Sequence, residues 1–97
     1  MEVSIQSIHF DINEKLKAFI NKKLDKLEHR NPCITYAEFN LRVVKPETAM
    51  NKNVILKLGV PNQGDMVADK TADTFEEAVD KCLEAVEKQL EKLKDMK

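Results

Sequence analysis

Two basic runs are the part of this chain whose residue types and spacing could do chemistry. "FINKKLDKLEHRN" carries Lys22, Lys23, Lys26 and Arg30, and "DKCLEAVEKQLEK" carries Lys81, Lys88 and Lys92. At about 100° per residue on a helix, Lys15, Lys22, Lys26 and His29 share one side of the first run, with Lys23 beside the apolar stripe, where its methylenes can lie on the core and its ammonium at the rim. Lys81, Lys88 and Lys92 form one stripe on the second run, next to an acidic arc of Glu77, Asp80, Glu84, Glu87 and Glu91. Such rows can neutralise phosphates, which is binding chemistry rather than bond-making. They are equally what a solvated helix face shows: Glu77 and Glu84 precede Lys81 and Lys88 by four residues, the order that supports a helix by about 0.3–0.5 kcal/mol per pair.

Charge is local rather than global. Between Ile12 and Arg30 stand six basic and three acidic residues, while the whole chain has formal net charge −1. That total is unlike most nucleic-acid binders. A phosphate-facing surface therefore requires the two basic stripes to lie on adjacent helix flanks, so that their fields add.

Other chemistries lack their residues. His9 and His29 have no i, i+4 partner or clustered Cys, so no zinc site is expected. Gly59 and Gly64 are the only glycines, which leaves no Gly-rich phosphate loop. Cys82 falls on an apolar stripe and reads as core; Cys33 follows Pro32 without a His tied to it. Two reduced thiols in a cytoplasmic protein are expected, with a disulfide as the alternative. Neither an enzyme nor a cofactor is expected.

The elements that must position these side chains follow from periodicity. "VSIQSIHFDI" alternates, with a parity change near Ser7 that predicts a bulge or bend. Asp11 or Asn13 can cap a helix over 13–29, whose stripe is Leu16, Phe19, Ile20, Leu24 and Leu27, and Pro32 stops it. Residues 34–45 alternate Ala37, Phe39, Leu41 and Val43 against Glu38, Asn40 and Arg42, a strand with one wet face. After the polar connection "KPETAMNKN", Val54, Leu56, Leu58 and Val60 define the next strand, "VPNQGD" a hairpin turn, and residues 65–71 a further strand. Thr74, with Glu77 three residues on, opens a second helix with the stripe Phe75, Val79, Cys82, Val86, Leu90 and Leu93. The class is α+β, in the order β-α-β-β-β-α: one four-stranded sheet with two helices packed on one face.

At 97 residues, 42% of them hydrophobic, the chain suffices for a single domain over 1–97 and one core. No run of eighteen apolar residues and no basic-then-apolar leader is present, so neither a membrane partner nor a signal peptide is expected.

The run "INEKLKAFINKKLDKL" resembles the first-helix pattern ITxxLxxFxxxKxxKL of the short ribosome hibernation promoting factors, also called ribosome-associated inhibitor or sigma-54 modulation proteins. Ile12, Leu16, Phe19, Lys23, Lys26 and Leu27 match, with Asn13 for Thr. "FNLRVVK", "PNQGD", "DTFEEAVD" and "KQLEK" resemble the family's central strand, hairpin turn and the two ends of its last helix, so the likeness spans nearly the whole chain.

The resemblance implies a β-α-β-β-β-α fold. It also implies binding to the small ribosomal subunit (16S-type rRNA) in the channel between head and body, with translation silenced during slow growth. By motif, rRNA contact passes to Lys23, Lys26, Lys88 and Lys92; by position, to Lys22, Arg30 and Lys81. A cytoplasmic protein that binds no DNA and is monomeric off the ribosome is the matching expectation, as is the absence of the extra C-terminal domain of long members. The chain departs from the pattern at Ala85, where a basic residue is usual, and near Ser7, where a Gly is common. The rival reading is a protein-interaction module, such as a modulator of a sigma factor, using the acidic arc or the wet face of the sheet.

Overall fold

The computed structural model describes residues 1–8, 11–44, 50–61 and 64–95, the last three as backbone. The elements run β1 (Glu2–Ile8), α1 (Glu14–Arg30), β2 (Tyr36–Val43), β3 (Lys52–Val60), β4 (Gly64–Ala72) and α2 (Phe75–Asp95). One sheet has the order β1-β2-β3-β4. β1 pairs parallel with β2 across the α1 crossover, whereas β2/β3 and β3/β4 are antiparallel.

Strand alternation fixes the two faces of the sheet. Ala37, Phe39 and Leu41 of β2, Val54, Leu56 and Leu58 of β3, and Met66, Ala68 and Ala72 of β4 enter one core with Leu16, Ile20, Leu24 and Leu27 of α1 and Val79, Cys82, Val86 and Leu90 of α2. Phe39 is wholly buried, and truncating it to Ala costs about 3–5 kcal/mol.

The helix starts are built by short side chains. The Leu16 N–H donates to Asn13 Oδ1 at 2.7 Å, so Asn13 rather than Asp11 is the cap. The Glu77 N–H donates to Thr74 Oγ1 at 3.1 Å at the start of α2. α1 ends where the buried Asn31 returns its backbone N–H to Leu27 O at 2.9 Å, one residue before Pro32.

The bulge expected near Ser7 is not there. β1 pairs residue for residue from Glu2 to Ile8 without an inserted position. The parity change marks the end of the strand instead: Val3, Ile5 and Ser7 pair with the core-facing positions of β2, and Ile12 packs on the core from the lead into α1. The turn residues Asn62 and Gln63, the connection at 45–49, His9, Phe10 and the Leu93 side chain lie outside the described residues.

The open face of the sheet is polar and cross-linked. Asn53 on β3, 4% exposed, accepts from Arg42 Nε at 3.1 Å and donates to Asp69 Oδ1 at 2.6 Å and Thr71 Oγ1 at 3.1 Å. Tyr36 reaches over Gly59, its register partner on β3, to donate its hydroxyl to Asp65 on β4 at 2.6 Å. A side chain at Gly59 would occupy the space of the Tyr36 ring.

Candidate nucleic-acid interface

The basic residues divide into two grooves, one on either flank of α2. Lys23, Lys26 and Arg30 of α1 face α2 across a groove of about 320 Å³ whose opposite wall carries Asp80, Glu84 and Glu87. Lys23 Nζ is 3.4 Å from Asp80 Oδ1 and 5.4 Å from the centroid of the half-buried Phe19 ring, so its stem lies on the core and its charge at the rim. Arg30 Nη1 is 3.7 Å from Glu87 Oε1. Lys26 is exposed and has no ion pair among the described residues. Lys22 is exposed and does not line this groove.

The second groove, of about 440 Å³, runs between α2 and β4. Lys81, Lys88 and Lys92 line it from the helix and Lys70 from the strand. Lys81 pairs with Glu77 and Lys88 with Glu84, both at 3.6 Å and both one helical turn apart. Ala85 lies in this groove, so the position where a basic residue was expected is a gap inside the lysine row.

The two sets thus do not merge into one surface. Asp80, Glu84 and Glu87 stand between them as a ridge along α2, so the stripe that adjoins α1 is the acidic one. In the interhelical groove three cations face three carboxylates and formal charge cancels. In the α2–β4 groove four lysines stand against Glu84 in the lining and Glu77 beside Lys81, a formal balance of +2. The condition that the two lysine stripes share adjacent flanks is therefore not met.

Lys70 was missed in the sequence. Its signal is parity: it pairs with Val54 and shares the core-facing side of β4 with Met66 and Ala68. A lysine in that register at the sheet edge must run its stem out along the neighbouring helix.

Among the described residues neither groove is lined by a thiol. Cys82 is buried and its Sγ lies 3.2 Å from Val54 O, and burial pushes its thiol up to about 11. Cys33 is exposed and free. Among the described residues no three His, Cys, Asp or Glu side chains converge to hold a metal, and no helix is long and apolar enough to cross a membrane. What the arrangement can do is hold polyanions by charge.

The family model for sigma 54 modulation protein / S30EA ribosomal protein matches residues 3–97. A ribosomal subunit interface protein from Coxiella burnetii shares the fold at a TM-score of 0.86 and 22% identity, over 98% of this chain and 99% of that one. The N-terminal domain of Protein Y from Thermus thermophilus superposes at a TM-score of 0.78 and 16% identity, over 96% of this chain and 99% of that one. No curated protein matches the sequence.

Proposed function

Because the chain belongs to the sigma 54 modulation protein / S30EA ribosomal protein family, we propose that it binds the ribosome and, more narrowly, the small subunit, in the channel between head and body used by messenger and transfer RNA. Binding there blocks initiation and keeps ribosomes idle during slow growth. The observation that carries this reading is the α2–β4 groove, where four lysines from two elements line one trough of net positive charge. Lys81, Lys88 and Lys92, with Lys70, hold phosphates there. Lys22, Lys23, Lys26 and Arg30 form a second contact from α1.

Contacts of this kind are read through backbone shape, because ammonium groups on phosphates carry no base information. The Coxiella relative, described as a ribosomal subunit interface protein, supports a ribosomal partner. The test is translation of a reporter messenger by purified bacterial ribosomes. The protein is expected to suppress initiation and excess messenger to relieve the block; undiminished translation at saturating protein refutes the reading. The sigma-factor alternative would use the acidic arc of α2 or the cross-linked polar face of the sheet, and under it charge reversal at Lys23 and Lys26 leaves the partner complex intact.

A further inference from the structure

The interhelical groove carries its own counter-charge. Asp80 and Glu87 occupy, at 3.4 and 3.7 Å, the cations that a phosphate strand would need. The four side chains are 36% and 53% exposed for Lys23 and Asp80, and 68% and 38% for Arg30 and Glu87, so these pairs sit at the mouth of the groove and not beneath it. A backbone entering the groove meets each cation already beside a carboxylate. On the other flank of α2, Lys70 and Lys92 have no carboxylate in ion-pair reach among the described residues.

We infer that Asp80 and Glu87 compete in cis with RNA phosphate for Lys23 and Arg30, so that they set how tightly the interhelical groove holds RNA. Occupation exchanges an ammonium–carboxylate contact for an ammonium–phosphate contact and leaves two carboxylates close to the bound strand, where like charges a few ångströms apart repel. In the α2–β4 groove Lys81 and Lys88 need the same exchange with Glu77 and Glu84, whereas Lys70 and Lys92 need none. Loose RNA is therefore held first through Lys70 and Lys92, and Lys23 and Arg30 are recruited only where phosphates are fixed close enough to displace both carboxylates. This inference rests on the phosphate-binding reading above and deepens it.

The alternative role for the same pairs is positioning, in which the carboxylates hold Lys23 and Arg30 extended for the RNA. The two roles predict opposite signs. Binding of Asp80→Asn/Glu87→Gln is compared with wild type and with Glu2→Gln/Glu38→Gln, which removes the same two charges from the open side of β1 and β2. The probes are poly(U) and purified small subunits, at equal salt. With each exposed pair weighing about as much as surface ion pairs usually do, the double variant is expected to bind both probes roughly two- to twentyfold tighter than wild type.

The expected result is at least about a twofold gain over the charge-matched control, with Asp80→Asn and Glu87→Gln singly giving part of it. Binding equal to the control, or weaker than wild type, overturns the inference. Circular dichroism melts on all variants separate this from a folding defect, and the half-exposed single variants keep the test available if the double one is unstable. If wild type fails to bind subunits, the ribosomal reading falls while the poly(U) ratio still decides the role of Asp80 and Glu87.

Discussion

Replacing Lys23, Lys26 and Arg30 together by Gln removes the whole basic wall of the interhelical groove while leaving the α2–β4 groove intact. The effect on RNA binding follows from counterion release: eight proposed phosphate contacts give a slope of log affinity against log salt of about −6 to −7. Three fewer contacts flatten it by roughly 2 to 3, at about 0.7–0.9 per contact. The fold should not suffer, because Lys23–Asp80 and Arg30–Glu87 are exposed pairs worth about 0–1 kcal/mol each, and Lys26 is unpaired among the described residues. Gln is used because Glu at 23 would be set against Asp80 and confound charge loss with repulsion. The assay is filter binding to small subunits across a salt series, with a circular dichroism melt alongside. An unchanged slope with a native melt would refute phosphate contact in this groove; a flattened slope equal to that of a variant lacking Lys81, Lys88 and Lys92 would show that the two grooves contribute alike.

Gly59→Ala should destabilise the fold by about 1–3 kcal/mol, because the added methyl collides with the Tyr36 ring and with Thr35 Oγ1; urea melts check this, and Gly59→Ala in a Tyr36→Ala background should cost less than the two separate costs summed. The hydrogen bond to Asp65 raises the Tyr36 hydroxyl to about 12. A raised folded value means that this contribution is fully present below about pH 10, the free tyrosine range, and fades between there and pH 12. Tyr36→Phe should abolish that part of the alkaline decline in a stability series; an identical decline would deny the bond a role. In native buffer near neutral pH a thiol reagent should modify Cys33 alone, because Cys82 is buried with its thiol pushed up to about 11. Mass spectrometry should find one adduct before unfolding and two after.

Much of the fold was legible because β2 and β3 alternate cleanly and the helix stripes keep three- and four-residue spacing. Asn13 and Thr74 act as caps through bonds that their side-chain types predict. The false bulge at Ser7 arose because an alternating strand followed directly by the lead into α1 looks like a parity slip, and only the pairing with β2 separates the two. The site was half legible. Helical spacing shows which residues share a flank of α2 but not which flank meets α1, a matter of helix rotation set by core packing. That rotation turned Asp80, Glu84 and Glu87 toward the α1 cations and left the lysines beside β4. Lys70 needed strand register, as did the span from Tyr36 over Gly59 to Asp65. Neither is visible until β2, β3 and β4 are paired.

The central claim is that this domain is a small-subunit ligand held by phosphate contacts, and sedimentation of the purified protein with purified bacterial small subunits through sucrose tests it most directly. Run at low and near-physiological salt, with and without messenger RNA, the protein should travel with the subunit, more completely at low salt, and messenger should displace it. Protein left at the top of the gradient at both salts would contradict the account.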